Sequence, residues 1–258
     1  MDQEVIILLN VMIKRYGFDA FIADFCDGIE VIENNEFYEC FVYLIETEYQ
    51  REKIRQCRDQ FDNIDATIIM PQNINRKAYI LLKKELSLES SIRKAIHEFV
   101  HLVHRCIITK KMNLTNLYEI EENQEYKLFY YLDEFLTKKK ELVIYYDLLH
   151  KNRKIVDDNI YIVTMAENFK FAQESSPGIL EFMRNELFAI AETMAYISIF
   201  PDIFPNNFIE DQANIKDIGE IINILAKFDS IDAYVKNKIE LEEVITMLER
   251  SYFTSHQK

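Results

Sequence analysis

The chain has 258 residues, 49% hydrophobic and 29% charged, with only four glycines and four prolines. That composition can build a packed core, favours helices over tight turns and excludes wholesale disorder. The formal net charge of −14 excludes a nucleic-acid groove, which needs a concentrated surplus of Lys and Arg, and opposes an anionic membrane surface as partner.

The chain begins Met1-Asp2-Gln3-Glu4, with no basic or cleavable leader, and no apolar run reaches the ~18–20 residues of a membrane span. Cys26, Cys40, Cys57 and Cys106 make no C-x-x-C pair and no framework spacing, as expected of reduced thiols in a soluble cytoplasmic protein.

In chain order, residues 3–16 cluster their apolar positions and predict an opening helix that ends before Gly17. Residues 18–46 contain short β-rich runs, most clearly FYECFVYLIE over 37–46. TEYQREKIRQCRDQF (47–61) is strongly polar and predicts an exposed helix. ATIIMP (66–71) and KAYILLKK (77–84) predict two strands separated by QNINR. The second could be an edge that lines an extended peptide, or an ordinary interior strand. LESS (88–91) leads into a helix with Ser90 or Ser91 as its cap.

Residues 114–150 read as helical, either one long helix or two joined by a bend, and 155–165 as a short strand or a helix start. After SSPG (175–178), GILEFMRNELFAIAETMAYISIF is a nearly uninterrupted apolar helix stopped by Pro201 and Pro205. Two amphipathic helices, roughly 209–228 and 231–252, close the chain, and there is no internal repeat. The β signal lies before residue 85 and the helical signal after it, which is an α+β layout. The expected organisation is a core over 1–150 and a helical region over 151–258, packed on that core or continuous with it.

AIHEFVHLVHR (95–105) holds three of the five histidines. Residues four apart on a helix share a face with Cβ atoms about 6 Å apart, so His97 and His101 project side by side. Two imidazole nitrogens can then meet one zinc ion at about 2.0–2.1 Å each. Glu98 points to the flank of such an ion, where it can reach a bound water and accept its proton. This is the mechanics of H-E-x-x-H, here His97-Glu98-Phe99-Val100-His101. Core histidines are the alternative, but imidazoles flanked by Ile92, Ile96, Phe99, Val100, Leu102 and Val103 are costly unless something satisfies them. His104 cannot be the third ligand: positions i, i+4 and i+7 span ~10 Å at 1.5 Å per residue. It is expected as a supporting neighbour.

A third ligand must come from elsewhere, and KLFYYLDEFLTKKK (127–140) offers Asp133 and Glu134 in an apolar stretch. Spacing leaves both open, beside the alternative that both acids lie on a solvated stripe. Oxyanion donors would be sought among Tyr130, Tyr131, Tyr145, Tyr146 and His150.

Over roughly residues 66–140 the chain resembles the small intracellular zincins of bacteria and phages, a gluzincin-like set that includes the ImmA/IrrE-type peptidases. The resemblance rests on the strand KAYILLKK, the helix with HEFVH and the downstream word LDEF. It implies a zincin-like fold, with a small N-terminal sheet on the active-site helix and a mostly helical C-terminal half. It also implies Glu134 as the third zinc ligand. The chain departs from the family pattern in having Val100 where HELGH has glycine, and Lys138 where thermolysin-like enzymes have an orienting acid. No DNA-binding segment accompanies it.

The expected function is a zinc-dependent metallopeptidase acting on protein or peptide substrates. His97, His101 and Glu134 would hold Zn2+, and Glu98 would serve as general base. The rival expectation is a non-catalytic zincin-fold binding or regulatory protein with a structural or vestigial metal, its C-terminal third a docking module.

Overall fold

Val5, Leu9 and Met12 recur at helical spacing, and all three are buried in α1 (Asp2–Tyr16) of a computed structural model that describes residues 2–45, 47–56, 58, 61, 64–122, 126–149 and 158–256. Gly17 ends this helix at φ +65°, a left-handed backbone that glycine adopts without a Cβ penalty, and the Phe18 N–H donates to the Ile13 carbonyl at 3.0 Å. The chain divides into two compact units, Met1–Asn123 and Gln124–Lys258.

In the first unit α1 is followed by α2 (Asp19–Ile22), β1 (Ile29–Asn34), α3 (Phe37–Leu44), α4 (Glu48–Arg55), β2 (Ala66–Ile69), β3 (Ala78–Lys83), α5 (Leu88–Lys111) and α6 (Glu119–Glu122). The three described strands form one sheet in the order β1-β3-β2. β3 runs parallel to β1, with Ile29 opposite Ala78, and antiparallel to β2, with Ile68 opposite Ile80. A central strand covered on both faces reads as a continuous apolar run and not as an alternation. Accordingly Ala78, Ile80, Leu81 and Leu82 are all fully buried. The edge reading of 77–84 is therefore corrected: β3 is hydrogen-bonded along both sides and offers no free edge to a peptide.

FYECFVYLIE is corrected too, because its first eight residues form α3 and the strand of that region is IEVIEN (β1). Phe37 and Phe41 stand four apart and pack together against Ile69 and Leu81, so the aromatic spacing serves a helix face. β-propensity loses here to packing.

The second unit comprises α7 (Tyr126–Leu149), α8 (Asp158–Glu174), α9 (Ile179–Ile199), α10 (Phe208–Gln212), α11 (Ile218–Leu225) and α12 (Ile231–His256). α9 packs on both α7 and α8. Part of its core gathers Leu142, Met165, Ala195, Tyr196, Phe204 and Phe208. Of the two alternatives for 155–165, the described part is helical, beginning at Asp158. The expected helix over 209–228 is broken into α10 and α11, with Asp217 at φ +63° between them. The last helix is kinked at Asn237, whose φ of −122° is not helical. The whole is an α+β chain with a small sheet and mostly helical remainder. No helix among the described residues is long and apolar enough to cross a membrane.

Candidate metal centre

Helix α5 is fixed at both ends before it presents anything. Ser87, not Ser90 or Ser91, is its N-cap: the backbone is extended there and the hydroxyl accepts from the Ser90 N–H at 3.1 Å. Glu89 in the first turn and Lys110 and Lys111 in the last complement the helix dipole. Ala95, Ile96, Phe99, Val100, Leu102 and Val103 are buried, and α5 packs on β2 and β3. Phe99, between the two motif histidines in sequence, is fully buried with its ring 5.5 Å from that of Phe18.

His97 and His101 lie on a half-buried side of this helix. Their Nε2 atoms are 3.1 Å apart, with ring centroids at 4.7 Å and planes at 80°. Two nitrogens bound to one zinc ion at about 2.0–2.1 Å and a near-tetrahedral angle stand roughly 3.3 Å apart. At 3.1 Å the two rings share a hydrogen bond, and the same spacing is compatible with a shared ion.

One ligand atom from each of His97, His101 and Glu134 falls within 4.8 Å of the others, a group that could hold a metal ion. Two imidazoles and one carboxylate are a donor set that zinc accepts. Glu98, next to His97, is half-buried on the same helix. His104 is fully buried, one turn beyond His101, and stands outside the group.

On α7 the two neighbouring acids differ. Asp133 is almost completely buried and accepts from the Thr137 hydroxyl at 3.3 Å. Glu134 is half-buried and belongs to the ligand group. One turn before it, Tyr130 interacts with both the Glu134 carboxylate and the Arg184 guanidinium of α9. Burial pushes the Tyr130 phenol up to about 12, the Glu134 charge adding to the shift and Arg184 opposing it. The hydroxyl therefore keeps its proton as a hydrogen-bond donor across the neutral range.

The other expected oxyanion donors are placed elsewhere. Tyr131 and Tyr145 are nearly fully buried. Tyr146 donates to the Tyr161 hydroxyl at 3.1 Å inside an aromatic cluster with Tyr196 and Phe200. His150 lies outside the described residues. Arg184 was not foreseen: its Nε is buried without a hydrogen-bond partner. An arginine among the polar positions of an apolar helix gives no signal of this kind in sequence.

Comparison with protein-family models, with curated proteins and with solved structures gave no match.

Proposed function

We propose that the chain is a zinc-dependent metallopeptidase of the zincin type, with His97, His101 and Glu134 holding the ion and Glu98 acting as general base on a protein or peptide substrate. The observation that carries the reading is the 3.1 Å spacing of the two Nε2 atoms on one helix, with a carboxylate oxygen of Glu134 in the same group. Zinc, when bound, supplies a Lewis acid that makes water acidic near neutrality. Glu98 takes the proton of the attacking water on its carboxylate and returns it to the departing amine nitrogen. Tyr130 donates its hydroxyl proton as a hydrogen bond to the oxygen that gains charge at the reacting carbonyl. Arg184 holds the Tyr130 phenol from α9. Membership of the gluzincin-like set, including the ImmA/IrrE-type peptidases, rests on HEFVH and LDEF, and a cytoplasmic location on the cysteine usage alone.

The test pairs metal analysis with hydrolysis of mixed unfolded proteins. Glu98→Gln is expected to keep one zinc per chain and to lose more than ~100-fold in rate, the scale of a general base. Full activity in that variant would remove Glu98 from the mechanism. Zinc retained by the parent chain with no cleavage of any substrate would favour the binding protein instead.

A further inference from the structure

Helix α1 is apolar on two sides, and the fold uses only one of them. Val5, Leu9 and Met12 are buried on the side from which α1 packs on β1 and α5. Ile7 and Val11 lie on the opposite side, 61% and 46% exposed. A single exposed aliphatic residue is ordinary, but these two belong to an ordered stripe. At about 100° per residue, Glu4, Ile7, Val11 and Lys14 fall within an arc of about 80°. Their spacing of three, four and three residues is the one by which a helix offers a seam to another helix. Glu4 and Lys14, both exposed, stand at its two ends. Acids near the start of a helix and bases near its end also suit the helix dipole. The dipole does not account for Ile7 and Val11 between them, since β-branched residues are poorer helix formers than the polar ones a solvated face usually carries.

We propose that this stripe pairs with the same stripe of a second copy of the chain, the two α1 helices running antiparallel about a twofold axis. The stripe is complementary to its own reverse. Glu4 and Lys14 have their midpoint at position 9, and Ile7 and Val11 have the same midpoint. In a twofold contact each pairing occurs twice, once from either side. Antiparallel packing therefore sets each Ile7 against the other copy's Val11, and each Glu4 against the other copy's Lys14. Parallel packing would set acid on acid and base on base, so the end charges select the orientation. Glu4 and Lys14 are ten residues apart, ~15 Å along the helix, which leaves the centre of the contact to the aliphatic pair. The net charge of −14 opposes any self-association, but charges beyond ~8 Å are largely screened at physiological ionic strength. Within α1 the charges balance, Asp2 and Glu4 against Lys14 and Arg15. One short helix per chain makes a contact below the standard interface size, so the dimer is weak and reversible.

Sedimentation equilibrium of the full chain from ~5 to ~500 µM, at ~150 mM salt, tests this. The expected result is a monomer–dimer equilibrium with Kd between ~10 and ~300 µM. Ile7→Ser should weaken it at least ~5-fold and, being a surface change, should melt with the parent. Glu4→Lys should also weaken it at least ~5-fold, because each end then sets lysine against lysine. The double reversal Glu4→Lys with Lys14→Glu restores both pairs and should return Kd to within ~3-fold of the parent. A chain that stays monomeric throughout overturns the proposal and leaves the stripe to a different partner. A dimer indifferent to Ile7→Ser and Glu4→Lys overturns it as well, since the contact then lies elsewhere. Failure of the double reversal to restore association, with melting unchanged, overturns the antiparallel pairing.

Discussion

Asp133 and Glu134 are adjacent on α7 yet committed to different partners, the first to the Thr137 hydroxyl at 3.3 Å and the second to a group with His97 and His101. A change of one residue in sequence is a rotation of about 100° around a helix, so neighbouring carboxylates cannot serve one ion alike. Glu134→Ala is expected to weaken zinc retention by more than ~100-fold, beyond the 10–100-fold typical of losing a supporting partner. Asp133→Ala should keep zinc and cost about 1–3 kcal/mol in denaturant unfolding, because a buried hydrogen bond to a carboxylate is lost. Metal analysis of both variants after dialysis checks the pair, and the opposite pattern would move the ligand by one residue.

Tyr130 stands one turn from Glu134 and is held by Arg184. As the donor to a developing oxyanion it should matter to the chemical step and little to substrate capture. Tyr130→Phe is expected to lower kcat about 10²-fold with KM nearly unchanged. A loss confined to KM would place the phenol in binding. Arg184→Lys should fall between the parent and Tyr130→Phe, since an ammonium can approach the phenol but lacks the planar fork.

Glu186 on α9 is completely buried, and neither of its oxygens reaches hydrogen-bond geometry. Burial pushes its carboxyl up to about 8, with Gln173 offsetting a little of the shift. Between about pH 4.5 and pH 8 the folded chain therefore keeps a proton that the unfolded chain has released. Stability falls as pH rises through that window and levels off above it. The penalty is on the order of 3 kcal/mol at pH 7, at 1.36 kcal/mol per unit. Glu186→Gln should flatten this slope and raise the neutral-pH midpoint of urea unfolding. An unchanged pH profile would show that Glu186 ionises normally.

Phe99 anchors the motif helix from its buried side, fully enclosed and against Phe18. Phe99→Ala leaves a void no neighbour can fill without moving α5. The expected cost is about 3–5 kcal/mol in thermal or denaturant unfolding. Zinc should offset part of that loss in proportion to its free concentration over its dissociation constant. A variant whose midpoint ignores added zinc would break the link between the ligand group and the fold.

The parts legible in sequence were those in which one pattern had no competitor. H-E-x-x-H fixes a helical spacing by itself, and α5 places His97 and His101 as that spacing requires. ATII and AYILLK read as strands because β-branched and aliphatic runs were bounded by polar turns, and both are strands. FYECFVYL failed because its aromatics satisfy β-propensity and helix-face packing at once, and only contact with Ile69 and Leu81 decides between them. The place of β3 in the middle of the sheet was hidden for another reason. Its partners are set by long-range pairing that no local window contains. Arg184 and the buried acid Glu186 lie on an apolar helix whose sequence says nothing about which residues of α7 and α8 face them.

The parallel pairing of β1 with β3 joins Ile29 to Ala78, so it closes a loop of ~50 residues before a single ladder bond rewards the closure. Helices of the second unit make their backbone hydrogen bonds between near neighbours, before any of their long-range packing forms. The histidine-bearing half should thus be the slow step of refolding. In synthesis β1 is made first, so it is the strand that waits while the chain to β3 is completed, and the sheet cannot close before then.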